Sequence, residues 1–153
     1  MTDGIKVITR NRKATHNYEL LERYEAGIVL TGSEIKSIRA GRISLQEAYV
    51  IHRDGELWLM NAHIPEYKEA AKQSHHPLRP RKLLLHRREI DEIVEDLSIR
   101  GYTLIPTQVY LRNGRAKVEI ALARGKKLHD KRQSLREKDD KRRMERALKD
   151  YRR

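Results

Sequence analysis

The sequence predicts an all-β to α+β fold: a small closed antiparallel barrel with flanking helices, followed by a basic C-terminal tail. Three observations predict it. Alternation of apolar and polar residues runs through most of the body. Two dipeptides suited to positive φ, Asp54-Gly55 and Asn113-Gly114, join pairs of such alternating runs. Beyond Arg124 charges arrive at almost every other position, and no single apolar seam accompanies them.

The elements follow in chain order. In "YELLERYEAGIVL" Tyr18, Leu20, Tyr24, Ala26, Ile28 and Leu30 share one parity, interrupted by Glu22, which reads as a strand with one buried face. "TGSEIKSIRAG" opens with the capping-box pair Thr31 and Glu34 and stops at Gly41, so a short helix is expected. Ile35 and Ile38 point inward on it, leaving Lys36, Arg39 and Arg42 near solvent. "LQEAYVIHR" and "ELWLMNAHI" flank Asp54-Gly55 as a hairpin. The stretch from Pro65 to Arg81, with Pro77, Pro80 and the pair His75-His76, reads as a loop. "HRREIDEIVEDLSIRG" sets Ile90, Ile93, Val94 and Leu97 on one helical stripe and ends at Gly101. "TLIPTQVYLR" and "RAKVEIALA" form a second hairpin across Asn113-Gly114, a two-residue turn whose central positions both take positive φ.

Short antiparallel strands with a few helices are best closed on themselves, because closure removes sheet edges, and a barrel of this size is filled by side chains. An oligonucleotide-binding-type barrel is the arrangement expected of residues 1–125. Residues 126–153 are expected to be disordered when free. Met144, Ala147, Leu148 and Tyr151 form a short helical stripe, but Leu135 falls on the opposite face from Met144, so no continuous seam exists to dock on the body.

Charge narrows the partners. The 153 residues carry 34 Lys and Arg against 22 Asp and Glu, a net of +12. Of these, 13 basic and 6 acidic residues lie in 126–153, leaving +7 on the tail and +5 on the body. A basic body with a more basic arm suits a polyanion, with nucleic acid ahead of an anionic membrane. No apolar run is long enough to span a bilayer, and the N-terminus lacks the apolar stretch of a secretion signal. With no cysteine, a reducing compartment such as the cytoplasm is expected.

Enzymatic constellations are poor. The serines sit in no nucleophile elbow, the carboxylates form no recognisable acid/base pair, and no phosphate-cradling loop is present. His75 and His76 lack partners at metal-ligand spacing and are expected to be solvated, so neither metal nor cofactor is predicted. Nucleic-acid constellations are richer. "NRKATHNY" gathers Asn11, Arg12, Lys13, His16 and Tyr18: cations for phosphates, rings for stacking, an amide for a base edge. An ordinary polar arm would look the same. Lys36 and Arg39 read first as a solvated helix face, and Glu25, near Gly27, either accepts from a base amino group or holds an arginine. Aromatic residues are sparse, with seven Tyr, one Trp and no Phe, so an extended stacking platform is not visible.

The stretches "YEAGIVLTGSEIKSIRAGRISLQEAYV", "PRKLLLHRREI" and "GYTLIPTQVYLRNGRAKVEIALARGKKLHDKR" resemble the small protein B family, the bacterial binding partner of transfer-messenger RNA. The resemblance runs from about Asn11 to Arg132. It implies an oligonucleotide-binding-type barrel, itself not catalytic, that binds the tRNA-like domain of that RNA and accompanies it into ribosomes stalled on messages lacking a stop codon. It further implies that Asn11, Arg12, Lys13, His16, Tyr18 and Glu25 contact the RNA, with Lys36, Arg39, Lys82 and Leu84 on or supporting the same surface. Lys126, Lys127, His129, Asp130, Lys131 and Arg132 would meet the decoding centre of the small-subunit rRNA, and Met144 the vacant mRNA channel. A helix from Asp130 onward would extend roughly 36 Å. No membrane or small-molecule partner is implied.

Overall fold

The computed structural model describes residues 4–66, 75–125 and 142–143. The predicted decoding-centre and channel residues Lys126, Lys127, His129, Asp130, Lys131, Arg132 and Met144 lie outside the described residues.

Among the described residues the elements run β1 (Ile5–Arg10), α1 (Arg12–Asn17), β2 (Tyr18–Ile28), α2 (Gly32–Arg39), β3 (Tyr49–Arg53), β4 (Glu56–Met60), β5 (Arg81–Leu84), α3 (Arg87–Arg100), β6 (Thr103–Arg112) and β7 (Arg115–Gly125). All strand pairings are antiparallel, in the order β1-β6-β3-β4-β5-β2-β7, with β6 also paired to β7. The pairings therefore return to β6, but unevenly. β6 and β7 share a long ladder, whereas β3 meets β6 through the single pair Val50↔Leu104. Both turn dipeptides do what their chemistry requires: Asp54 and Gly55 have φ of 52° and 76°, Asn113 and Gly114 of 51° and 80°.

The main core lies inside this ring. Leu57, Leu59, Leu83, Ile93, Val109, Val118 and Ile120 are fully buried there. α3 covers one side with Ile90 and Ile93, supported by Val94 and Leu97, which is the stripe its sequence predicts.

Two of the register shifts decide what faces where at the β2 end of the sheet. In β2 the pairing Leu20↔Ala123 is followed by Arg23↔Ala121, so one extra residue is inserted. A one-residue slip turns every later side chain to the other face. Tyr18 and Leu20 therefore do not share a face with Tyr24 and Ala26, as parity alone predicts. Tyr24 and Ala26 enter the main core, while Tyr18 and Leu20 pack on a small second cluster of Ala14, Ile105 and Ala123 beneath α1. The second shift lies between Pro106 and Gln108 of β6, where proline has no N–H for the ladder.

A buried ionic cluster fixes α2 to β5. Glu34 and Arg81 both have no exposed surface. Arg81 Nε donates to Glu34 Oε2 at 2.6 Å and Arg79 Nη2 to Glu34 Oε1 at 2.5 Å. Arg81 also donates to the carbonyls of Ala62 (2.6 Å) and Pro77 (3.1 Å). The expected capping box at Thr31 and Glu34 is present, and the same carboxylate carries both duties. His75 departs from expectation. It is buried, its Nδ1 2.8 Å from Ser33 Oγ and its Nε2 2.8 Å from the Ile64 carbonyl. Both ring nitrogens are occupied, so it is a structural histidine and not a solvated one.

Candidate nucleic-acid interface

The structure divides the predicted RNA-contacting residues between the two ends of β2. Gly27 lies nine steps along the strand from Tyr18, about 30 Å at the usual rise.

The first group sits on α1. Asn11 caps the helix: its Oδ1 accepts from Ala14 N at 3.3 Å, and its Nδ2 donates to the Pro106 carbonyl at 2.9 Å. Its backbone N–H donates to the Thr107 carbonyl at 2.8 Å. The bulge in β6 thus presents the carbonyls that seat the β1–α1 corner. Buried and engaged at both ends of its amide, Asn11 holds the platform in place instead of presenting a free base-reading group. Arg12 and Lys13 are exposed on the next turn, and Lys13 Nζ lies 3.1 Å from Glu47 Oε1. His16 and Tyr18 are half-buried behind them.

The second group gathers where α2 meets the tip of the β6–β7 hairpin. Arg39 donates to the Gly114 carbonyl at 3.2 Å. Together with Leu84 it lines a groove floored by Ile28, Leu30 and Ile35. Gly27 pairs with Leu84, and a Cβ on Gly27 would stand 3.3 Å from the Leu84 Cβ, so glycine permits this approach. Leu84 keeps 51% of its surface exposed. Arg115 and Lys117 complete the groove. Sequence reading did not single them out, although the alternation that located β7 also assigns them outward. Lys36 is exposed on α2. Lys82 shares the outward side of β5 with Leu84, its carbonyl accepting from Val29 N at 2.9 Å, while its side chain lies opposite Trp58 across β4–β5 with Nζ 3.9 Å from Glu56.

Glu25 stands on β2 two residues before Gly27, directly across from Glu119 of β7. Two carboxylates in such a pair repel. Each is answered separately: Arg112 reaches Glu25 at 3.0 Å and the Tyr110 hydroxyl donates to it. Glu119 accepts from Thr107 Oγ1 (2.5 Å), Gln108 Nε2 (3.0 Å) and Arg23 (3.4 Å). Burial pushes the Tyr110 phenol up, and its bond to Glu25 pushes it further, so it donates at all ordinary pH. Of the two roles open to Glu25, holding an arginine is the one seen: it fixes Arg112 beside the Tyr110 ring, 6.0 Å from its centroid. The site therefore offers ordered cations and few proton-transfer groups. Among the described residues no group of His, Asp and Glu could hold a metal ion, and no helix is long and apolar enough to cross a membrane.

Residues 8–150 match the family model described as SmpB protein. The chain belongs to the SmpB family. Its relatives include the SsrA-binding protein of Thermosynechococcus vestitus, 54% identical over 150 residues that cover 97% of this chain and 99% of the relative. The SsrA-binding protein of Acidothermus cellulolyticus is 54% identical over 145 residues, covering 95% and 91%. Among solved structures, the chain is similar to one described as "tmRNA-SmpB: a journey to the center of the bacterial ribosome". That similarity has a TM-score of 0.65 and 44% identity, covering 78% of this chain and 85% of the other. The SmpB match spans α1, the groove at α2 and the stretch beyond β7, so both ends of β2 fall within the family's extent.

Proposed function

We propose that this chain binds the tRNA-like domain of transfer-messenger RNA and delivers it to stalled ribosomes in trans-translation, as a binding protein of the bacterial cytoplasm and not as an enzyme. The observation that carries this reading is the family match over residues 8–150, joined by relatives named for SsrA binding along nearly their whole length. The geometry supports it. Exposed cations at both ends of β2 suit a ligand with phosphates spaced along a comparable length, and phosphate contacts fix register on such a ligand.

Residues 1–125 act in this reading as one oligonucleotide-binding-type barrel. Closure is supported by the double pairing of β6, with β7 on one side and β3 on the other. The RNA contacts are Arg12, Lys13, His16 and Tyr18, positioned by Asn11, together with Glu25 through Arg112, and Lys36, Arg39, Lys82 and Leu84. Residues 126–153 form the second functional unit, folding only on the ribosome. Lys126, Lys127, His129, Asp130, Lys131 and Arg132 meet the decoding centre, and Met144 the mRNA channel. Thirteen cations on that segment supply attraction and counterion release. A message still in the channel leaves the tail no room to order, which restricts action to vacant ribosomes.

Truncation after Arg124 tests the division. The shortened protein should bind the tRNA-like RNA as the full chain does and fail to support tagging on stalled ribosomes. Equal tagging by the two proteins would overturn the role given to the tail.

A further inference from the structure

A cleft opens between α1 and the turn that leads into β3. One wall is Tyr18, half-buried at the start of β2, and another is Tyr49, 42% exposed at the start of β3. Ala14 and Ile105, both buried, line it from the small cluster under α1. Asn17 and Gln46, two residues with side-chain amides, also line it. At about 270 Å³ it falls just short of pockets that take drug-sized ligands, roughly 300 Å³ upward, so a single planar ring is the scale of occupant it suits. A neighbouring groove carries Arg10 and Arg12 and shares Lys13 and Gln46 with the cleft.

Two aromatic walls, an apolar floor, two amides and flanking cations match one ligand chemistry: an unpaired nucleobase with its phosphates. Rings stack on the base whatever its identity, amides bond its edge, and cations take the backbone. The Lys13–Glu47 pair adds a detail. It joins α1 to the turn on the cleft's other side, and its side chains are 49% and 70% exposed, so water and ions screen it. A phosphate arriving at Lys13 competes with Glu47 on favourable terms.

We propose that this cleft takes one unpaired nucleobase of the RNA partner, stacked on Tyr49 and Tyr18 and met at its edge by Gln46 and Asn17, while a flanking phosphate displaces Glu47 from Lys13. The inference rests on the RNA-binding function above. It extends that function from a surface that reads shape to a socket that reads one position.

The test uses the full chain and the tRNA-like domain of transfer-messenger RNA, prepared with an abasic site at each unpaired position in turn. Tyr49→Ala should weaken binding of intact RNA roughly tenfold, and Tyr49→Phe should bind as the unaltered protein does. One abasic position should weaken the unaltered protein to the same degree and cause no further loss in Tyr49→Ala. Glu47→Gln, an exposed change that leaves the fold alone, should tighten binding by about two- to fivefold at low salt, with the gain lost at high salt. Additive losses at every abasic position, unchanged binding by Tyr49→Ala, or weaker binding by Glu47→Gln would each overturn the socket. Absence of any preference by the unaltered protein for this RNA over unstructured RNA of equal length is a different result, and overturns the functional reading along with it.

Discussion

Replacing Glu34 with glutamine isolates the buried ionic cluster. The substitution keeps the shape and the capping acceptor but leaves two guanidinium groups, Arg79 and Arg81, without their counter-charge. Burial acts to raise the Glu34 carboxyl, yet the bonds from Arg79, the Thr31 N–H and Arg81 outweigh it and hold the group at about 2, against an ordinary 4.5. At about 1.4 kcal/mol per tenfold change in proton affinity, that gap corresponds to roughly 3 kcal/mol. Removing one partner of a buried pair costs about 3–5 kcal/mol, which agrees. Because the folded carboxyl titrates below the unfolded one, its stabilisation is complete above 4.5 and fades as pH drops through about 2. Urea denaturation of both proteins between pH 7 and pH 2 is the assay. Glu34→Gln should be less stable by about 3 kcal/mol at neutral pH, and the difference should shrink steadily on acidification. Other carboxylates cancel in the comparison. A difference below about 1 kcal/mol at neutral pH, or one that ignores pH, would refute the coupling of Glu34 to its arginines.

Two further outcomes separate support from contact. Asn11→Ala should destabilise the protein by about 1–2 kcal/mol in urea, through loss of the cap and of the bond to Pro106, with RNA affinity falling alongside; Asn11→Asp, which keeps the cap acceptor, should recover part of both. Arg115→Ala should leave urea stability unchanged and lower the slope of log affinity against log salt by about one, the mark of a single lost phosphate contact.

What the sequence disclosed depended on how local each signal was. Positive-φ dipeptides and capping residues act within four positions, so both hairpins, the start of α2 and the stripe of α3 were legible. The bulge in β2 was not. Glu22 interrupts the alternation there, but only the pairing with β7 shows that an extra residue turns Tyr18 away from Tyr24. β1 and α1 hid inside a polar N-terminal stretch, because Val7 stays 40% exposed and α1 buries Ala14 alone. β5 is four residues long and begins with an arginine whose burial depends on Glu34, 47 positions earlier. His75 was misread for the same reason, since its partners Ser33 and Ile64 are distant in the chain. At the candidate interface, residue types gave the cations and rings but not their arrangement. Division into two ends of one strand, and the difference between a buried, fully engaged Asn11 and an exposed Arg12, required the fold.

The inserted residue in β2 also partitions cooperativity. Upstream of it the strand belongs to the slender cluster beneath α1, and downstream to the thick hydrophobic interior. Local opening energies follow the apolar contacts that must be broken. With few apolar contacts to break, the platform under α1 is expected to exchange its amide hydrogens by local opening ahead of the main core, with the Asn11 bonds to β6 as the chief restraint.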